Sequence, residues 1–457
     1  MPTLPGSVEA AYPNVDPYLP LRFETETDRR FYVDCSSVRG GVDEIESLAR
    51  NIERSTVPQY SKQLFTGHIG CGKTTELFRL KQRLEDDGYF AVYFDVDNEL
   101  DLNDIGYPDI LLAIARQTQQ QLHNLANVEL DDRLLEVIAG WFGKTIITEE
   151  RSKNVETTLK TDFGLGVDSP VVVFAKMLAA FSGEIKNSRQ RREEIRRELE
   201  NNAAELIRHV NELIDDAQVR LSRKNKRGLV LMVDGLERVA YRVDDKTGIS
   251  SHELLFFHQG SQLRSPNCHV LYTFPINLAF NSNINIGQVF PEYVVLPMIK
   301  PDEAGQAKLR QIVASRLDVG TIFESPDLLD KLVTTSGGHV RDLLRLVRYA
   351  LNLTDTQVSA RNVEQATQRL VNEYDRITPD ADLPRLHEVH ETKQVPTDPA
   401  HALLLQKLLV LEYLDHTRWA DVHPAVLATQ KFQRFAEAQK KPKAKSRPGK
   451  SRQPKKP

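Results

Sequence analysis

Gly67-His68-Ile69-Gly70-Cys71-Gly72-Lys73-Thr74-Thr75 decides how this chain reads, because it follows the pattern G-x-x-x-x-G-K-[ST]. An apolar lead, Gln63-Leu64-Phe65-Thr66, precedes it. After it, Leu77, Phe78, Leu80 and Leu84 fall on one face of a helical pattern. Strand, glycine-rich loop and helix in that order form a cradle for a polyphosphate. Gly67, Gly70 and Gly72 keep side chains away so that phosphate can lie against backbone N–H groups. The helix that starts in Lys73-Thr74-Thr75 turns its positive end toward the anion. Lys73 is placed to reach the terminal phosphates as a point charge, and the Thr74 hydroxyl to ligate Mg²⁺.

The chain has 457 residues, enough for two or three domains, and its 40% hydrophobic content supports a sizeable core. No apolar run approaches the roughly 20 residues of a membrane span. The opening MPTLPGSVEAAYPNVDPYLP has no basic segment followed by an apolar one, so no secretion signal is expected. Cys35, Cys71 and Cys268 are scattered and odd in number, which argues against a disulfide framework or a zinc site and fits a reducing cytoplasm. Net charge is −4, yet residues 440–457 carry seven Lys, two Arg and no acid, leaving −13 on the rest. An acidic body with a basic tail is expected, the tail disordered and suited to DNA.

Around the loop the chain divides into stretches. Residues 1–30 read as an extended arm. Residues 31–300 alternate strands and helices, the pattern of a parallel α/β sheet. Its strands are expected at the apolar lead, at 89–96, at Gly228–Asp234, at 269–274 and at 293–296. A helical insertion is expected over about 125–225, including Phe163-Gly164-Leu165-Gly166 and one helix from about 185 to 221 extending roughly 50 Å. The arginines of its first half alternate with glutamates, so that half reads as a solvated arm rather than a nucleic-acid stripe. A further helix is expected near 252–263. Residues 301–375 are helical and read as a lid domain, 376–399 as a linker, and 400–438 as a small C-terminal domain. That domain has a helix over 402–414 and the size of a winged helix. Residues 439–457 are the tail.

A phosphate loop needs a second acid for its metal. Asp234 ends the apolar run Leu229-Val230-Leu231-Met232-Val233, which puts its carboxylate at the edge of the sheet where the loop lies. Glu237, three residues on, can orient or deprotonate an attacking water. Thr273 ends the next strand, where a polar group reaches the terminal phosphate or the water. Ser336-Gly337-Gly338-His339-Val340-Arg341-Asp342-Leu343-Leu344 opens a lid helix whose Arg341 can swing onto that phosphate and couple closure to nucleotide state.

These elements, in this order, resemble AAA+-related ATPases of the STAND group and, within that set, proteins similar to archaeal origin-recognition ATPases, over about residues 30–370. The resemblance implies an α/β fold: a parallel-sheet P-loop NTPase core with a helical lid and often a winged helix. It implies ATP and Mg²⁺ as cofactors, with Gly67, His68, Gly70, Cys71, Gly72, Lys73, Thr74 and Thr75 around the phosphates and Thr74 and Asp234 on the metal. It implies Glu237 as the catalytic acid position, Thr273 as the strand sensor and Arg341 as the lid sensor. By likeness to related ATPases, in which a segment here covers the nucleotide base, Arg39 and Gly40 are candidates for the base side. Two departures weigh against a motor ring. Gly235 follows Asp234 where ring enzymes place a second acid, and residues 274–292 contain no Arg or Lys to serve as a finger between subunits, Arg264 being the nearest substitute. The expected function is therefore a slowly hydrolysing ATP/ADP switch that signals to a protein effector and can form a nucleotide-dependent homo-oligomer. One alternative is a DNA-associated ATPase of the origin-recognition or transposition-regulator kind, using the tail and C-terminal domain. The other is a scaffold that binds ATP without turnover.

Overall fold

β3 (Leu229–Asp234) is buried along its whole length, as a continuous apolar run must be when both faces of a sheet are covered. In the computed structural model, which describes residues 4–55, 57–146, 169–281 and 284–440, β3 sits inside a five-stranded parallel sheet. Its companions are β1 (Lys62–Gly67), β2 (Phe90–Asp95), β4 (His269–Thr273) and β5 (Glu292–Leu296), in the order β2-β3-β4-β1-β5. The register sets Asp95 beside Asp234 and Phe65 beside Thr273. Since β4 separates β3 from β1, Thr273 stands between Asp234 and the loop that leaves β1. The expected α/β architecture is thus present, and five strands meet at one carboxyl edge.

Helices Glu44–Arg54 and Lys73–Asp86 cover one face of the sheet. The helix Tyr107–Ala126 and the insertion cover the other. The insertion's helices Asp132–Ile146, Pro170–Asn187, Arg189–Asn201 and Ala203–Arg223 share with Tyr107–Ala126 a core that includes residues of β2, β3 and β4. The single rod expected from about 185 to 221 is two helices that break at Asn202, and its charged half is not a solvated arm. Arg192 pairs with Asp101 and Asp104, and Arg196 with Asp104 and the buried Asp109. Those acids lie about 90 positions earlier in the chain, so no local pattern announces them. Phe163-Gly164-Leu165-Gly166 and the tail beyond Lys440 lie outside the described residues.

The lid helices Glu303–Ala314, Pro326–Ser336, Val340–Leu351 and Ala360–Ile377 fall close to where the periodicity puts them. Gly338 permits the entry to the third, because a Cβ there would stand 1.9 Å from the Ile299 carbonyl oxygen. Four expectations are corrected. The arm is not extended: Ser7 and Thr25 cap short helices at Val8–Ala11 and Glu26–Phe31, and Val8, Ala11 and Val15 join the lid core. The linker contains the helix Leu383–Thr392, whose Leu386 and Val389 enter the same core. The helix expected over 402–414 stops at Gln406, because Leu408 adopts a left-handed backbone (φ 59°) and Val410–Leu414 becomes β6, paired antiparallel with β7 (Arg418–Val422). The helix expected near 252–263 is interrupted by a wider turn over Leu254–His258. The β6–β7 hairpin buries Leu411 and Tyr413 in the core beside Leu77 and Leu296.

Candidate functional site

Lys73 is the first residue of its helix, and it is buried. Its Nζ donates to the carbonyls of Gly67 (3.0 Å) and His68 (3.1 Å) and lies 3.2 Å from Glu237 Oε1. Burial alone would depress the Lys73 pKa, but the neighbouring Glu237 charge raises it. For Glu237 burial acts upward, and the Lys73 charge and a Thr273 hydrogen bond outweigh it, holding the carboxyl below its usual range. Glu237 Oε2 is buried and has no partner. Thr273 Oγ1 accepts from Leu236 N–H at 3.1 Å, so Thr273 is tied to the turn that carries Glu237.

Three residues before Glu237, Asp234 collects three donors. Thr74 Oγ1 (2.7 Å) and the Tyr93 hydroxyl (2.9 Å) donate to Oδ2, and Gly235 N–H (2.8 Å) to Oδ1. Burial first, and then the Glu237 charge, push the Asp234 carboxyl up to about 6. Threonine and carboxylate oxygens in contact are a hard-oxygen pair suited to Mg²⁺.

The turn before the helix Val340–Leu351, and its first turn, touch the loop. Arg341 N–H donates to the Gly70 carbonyl at 3.2 Å, and His339 Nε2 lies 2.8 Å from the Ile69 carbonyl. A Cβ on Gly70 would meet His339 Nε2 at 2.7 Å and Arg341 Cβ at 2.8 Å, so glycine is needed here for the lid as well as for the positive φ of 85°. The Arg341 guanidinium lies over the Tyr18 ring, 5.5 Å from its centre, and its Nε has no partner.

Lys73, Thr74, Asp234, Glu237 and Arg341 line one cavity of about 240 Å³. The cavity continues past the loop between Tyr18, Leu19 and Leu21 of the N-terminal segment and Ile312, Arg316 and Leu344 of the lid. Leu21 N–H donates to Thr75 Oγ1, which pins that segment to the loop. Of the base-side candidates, Arg39 lines the cavity and donates from Nη2 to the Cys71 carbonyl at 2.6 Å, while its Nε and Nη1 are buried without partners. Gly40 is not part of the cavity; it packs against Leu414 of the hairpin. His68 and Cys71 also turn their side chains into the fold, both fully buried, and only their backbone is available to a phosphate. Unpartnered atoms of Arg39, Glu237 and Arg341 in one cavity, beside Thr74 and Asp234, suit a polyanion carrying a divalent cation.

Sequence reading missed Tyr93, Tyr18, Leu21 and Arg316. Tyr93 alone carries a local signal, a polar-tipped residue two positions before the end of an otherwise apolar strand. A second cluster, His339, Asp342 and His423, brings three ligand-type atoms within 4.8 Å of one another. It does not suit a metal. His423 Nδ1 accepts from Ala425 N–H at 3.0 Å, so in the neutral ring Nε2 carries the hydrogen and has no lone pair to offer.

No family model matches the sequence. No curated protein matches it either. Among solved structures, the chain is similar to the ORC1 protein of Aeropyrum pernix, solved in complex with DNA, at 15% identity and TM-score 0.33, covering 87% of this chain and 91% of that one. It is similar to CDC6P from Pyrobaculum aerophilum at 11% identity and TM-score 0.36, covering 89% and 99%. Overlaps this loose carry no inference about fold or activity, which rest on this chain's own sheet order and site.

Proposed function

We propose that the chain is a P-loop ATPase that works as a slow nucleotide switch of the AAA+/STAND kind. One observation carries the reading: the Thr74–Asp234 contact at 2.7 Å and the Lys73–Glu237 pair at 3.2 Å face one cavity at the carboxyl edge of a parallel sheet. In this reading backbone N–H groups from Gly67 to Thr75 bind the ATP phosphates, Lys73 leaves its loop carbonyls for the β- and γ-phosphates, and Thr74 and Asp234 hold Mg²⁺. Glu237, freed from Lys73, takes a proton from a water that attacks the γ-phosphorus as ADP departs. Thr273 steadies the Glu237 turn, and Arg341 joins the γ-phosphate to the lid. The mutual engagement of Lys73 and Glu237 supports slow turnover, since both must separate first.

A second reading, an ATPase that acts on DNA, is favoured over a protein effector by nine cations and no acid in residues 440–457. The test is the ATPase rate with and without duplex DNA, on protein whose mass is measured with ADP and with a non-hydrolysable ATP analogue. Basal turnover unaffected by DNA supports the switch with a protein effector; stimulation supports the DNA reading. No turnover leaves only an ATP-binding scaffold.

A further inference from the structure

His68 belongs to the phosphate loop, yet its ring is tied to the far end of the chain. Nδ1 donates to the Leu405 carbonyl at 3.0 Å, and Nε2 accepts from Glu412 N–H at 2.9 Å. A backbone N–H can only donate, so Nε2 is bare and the neutral ring holds a single tautomer. Burial first, and then the neighbouring His339 charge, lower its pKa to about 3, so the ring stays neutral across the working range. The carbonyl of the same residue accepts from Lys73 Nζ at 3.1 Å. His68 is thus held by the loop lysine on its main chain and by segment 405–412 on its side chain.

A second path runs in parallel. His423 Nε2 lies 3.3 Å from Asp342 Oδ2, and that oxygen also receives the Tyr374 hydroxyl at 2.7 Å. His339 Nδ1 lies 3.1 Å from the same oxygen, and His339 Nε2 meets the Ile69 carbonyl. Tyr413 adds a third tie, donating to the Gly337 carbonyl at 2.6 Å. Consecutive residues of the loop are therefore tied to the C-terminal part of the chain, His68 directly at residues 405 and 412, and Ile69 through the lid, which meets residues 413 and 423.

We propose that His68 is a positioning residue that sets the phosphate loop by fastening it to segment 405–412, so that nucleotide occupancy and docking of this segment form one equilibrium. The inference rests on the nucleotide reading above. A phosphate chain draws Lys73 off the His68 carbonyl, the loop shifts, and a ring with two fixed hydrogen bonds transmits the shift to β6.

The experiment is hydrogen exchange of the full chain, free and with a non-hydrolysable ATP analogue, with binding followed separately by titration. In wild type, exchange at 405–412 should change by at least about 5-fold on binding, the lower end of ordinary coupling between sites. In His68→Ala the change at 405–412 should fall well below that of wild type while persisting in the lid, and His68→Gln, which keeps an acceptor for Glu412 N–H, should restore part of it. Bound analogue with unchanged exchange at 405–412 in wild type overturns the coupling, as does a full response in His68→Ala. Should that variant fail to fold, the wild-type response decides alone. No binding to wild type overturns the nucleotide reading, and this inference with it.

Discussion

At the residue scale the site is a set of charges balanced against one another out of water. Glu237→Gln keeps the size and one acceptor but cannot take a proton. Its turnover should fall by at least about 10²-fold with ATP affinity little changed, measured as single-turnover hydrolysis beside a binding titration. The same change leaves Lys73 buried without a counter-charge, and losing half of a buried pair costs on the order of 3 kcal/mol. The free protein should therefore melt lower, and ATP, bound with little-changed affinity, should raise the melting of wild type and variant alike. Near-native turnover would show that another group activates the water. Asp234 makes a pH prediction. Its folded pKa of about 6 stands above the ordinary carboxylate value, so the stability gained from its protonation is complete below about pH 4 and is lost as pH rises through about 6. A metal takes the place of that proton. Mg²⁺ affinity of the protein–nucleotide complex should fall about 10-fold between roughly pH 7.5 and pH 5, beyond the change of the nucleotide itself. Asp234→Asn should bind Mg²⁺ weakly and lack this additional dependence.

At the scale of elements, what matters is which one closes on the loop. The turn Gly337-Gly338-His339 and the first turn of the helix Val340–Leu351 lie directly on Ile69 and Gly70. Gly70→Ala puts a methyl between them and a side chain at positive φ, which by itself costs about 1–2 kcal/mol. The free protein should lose more than that in denaturant unfolding, and protease should cut sooner around residues 337–340. A loss no larger than the backbone cost, with unchanged cutting, would mean that the lid does not rest on the loop in solution. The hairpin shows why elements cannot all be read locally. Residues 402–414 are apolar enough for either a buried helix or a strand, and the left-handed turn at Leu408 settles the matter through the space beside Leu77 and Leu296.

For the whole molecule, the charge asymmetry separates body from tail. A protein cut after residue 439 should keep its basal ATPase and lose its affinity for duplex DNA. If six or more tail cations meet phosphates, affinity of the full chain should fall about 10³-fold or more between about 50 and 200 mM salt. Equal DNA affinity with and without the tail would remove that role. Among the described residues, no helix is long and apolar enough to cross a membrane.

The sequence alone determined the strand–loop–helix around Gly67–Thr75, the buried strand that ends in Asp234, the alternation that makes a parallel sheet, and the lid helices. Each rests on short-range periodicity or on a glycine spacing that a local conformation demands. Tertiary structure decided the rest. Arg192 and Arg196 looked solvated because their acids, Asp101, Asp104 and Asp109, lie about 90 positions earlier in the chain. Tyr93 and Tyr18 reach the site only once the sheet and the N-terminal segment are placed. The side chain of His68 turns away from the cavity because the backbone groups of Leu405 and Glu412 hold it. A hydrogen bond between residues more than 300 positions apart leaves no trace in the pattern around either one, and there the sequence could name the residue but not its partner.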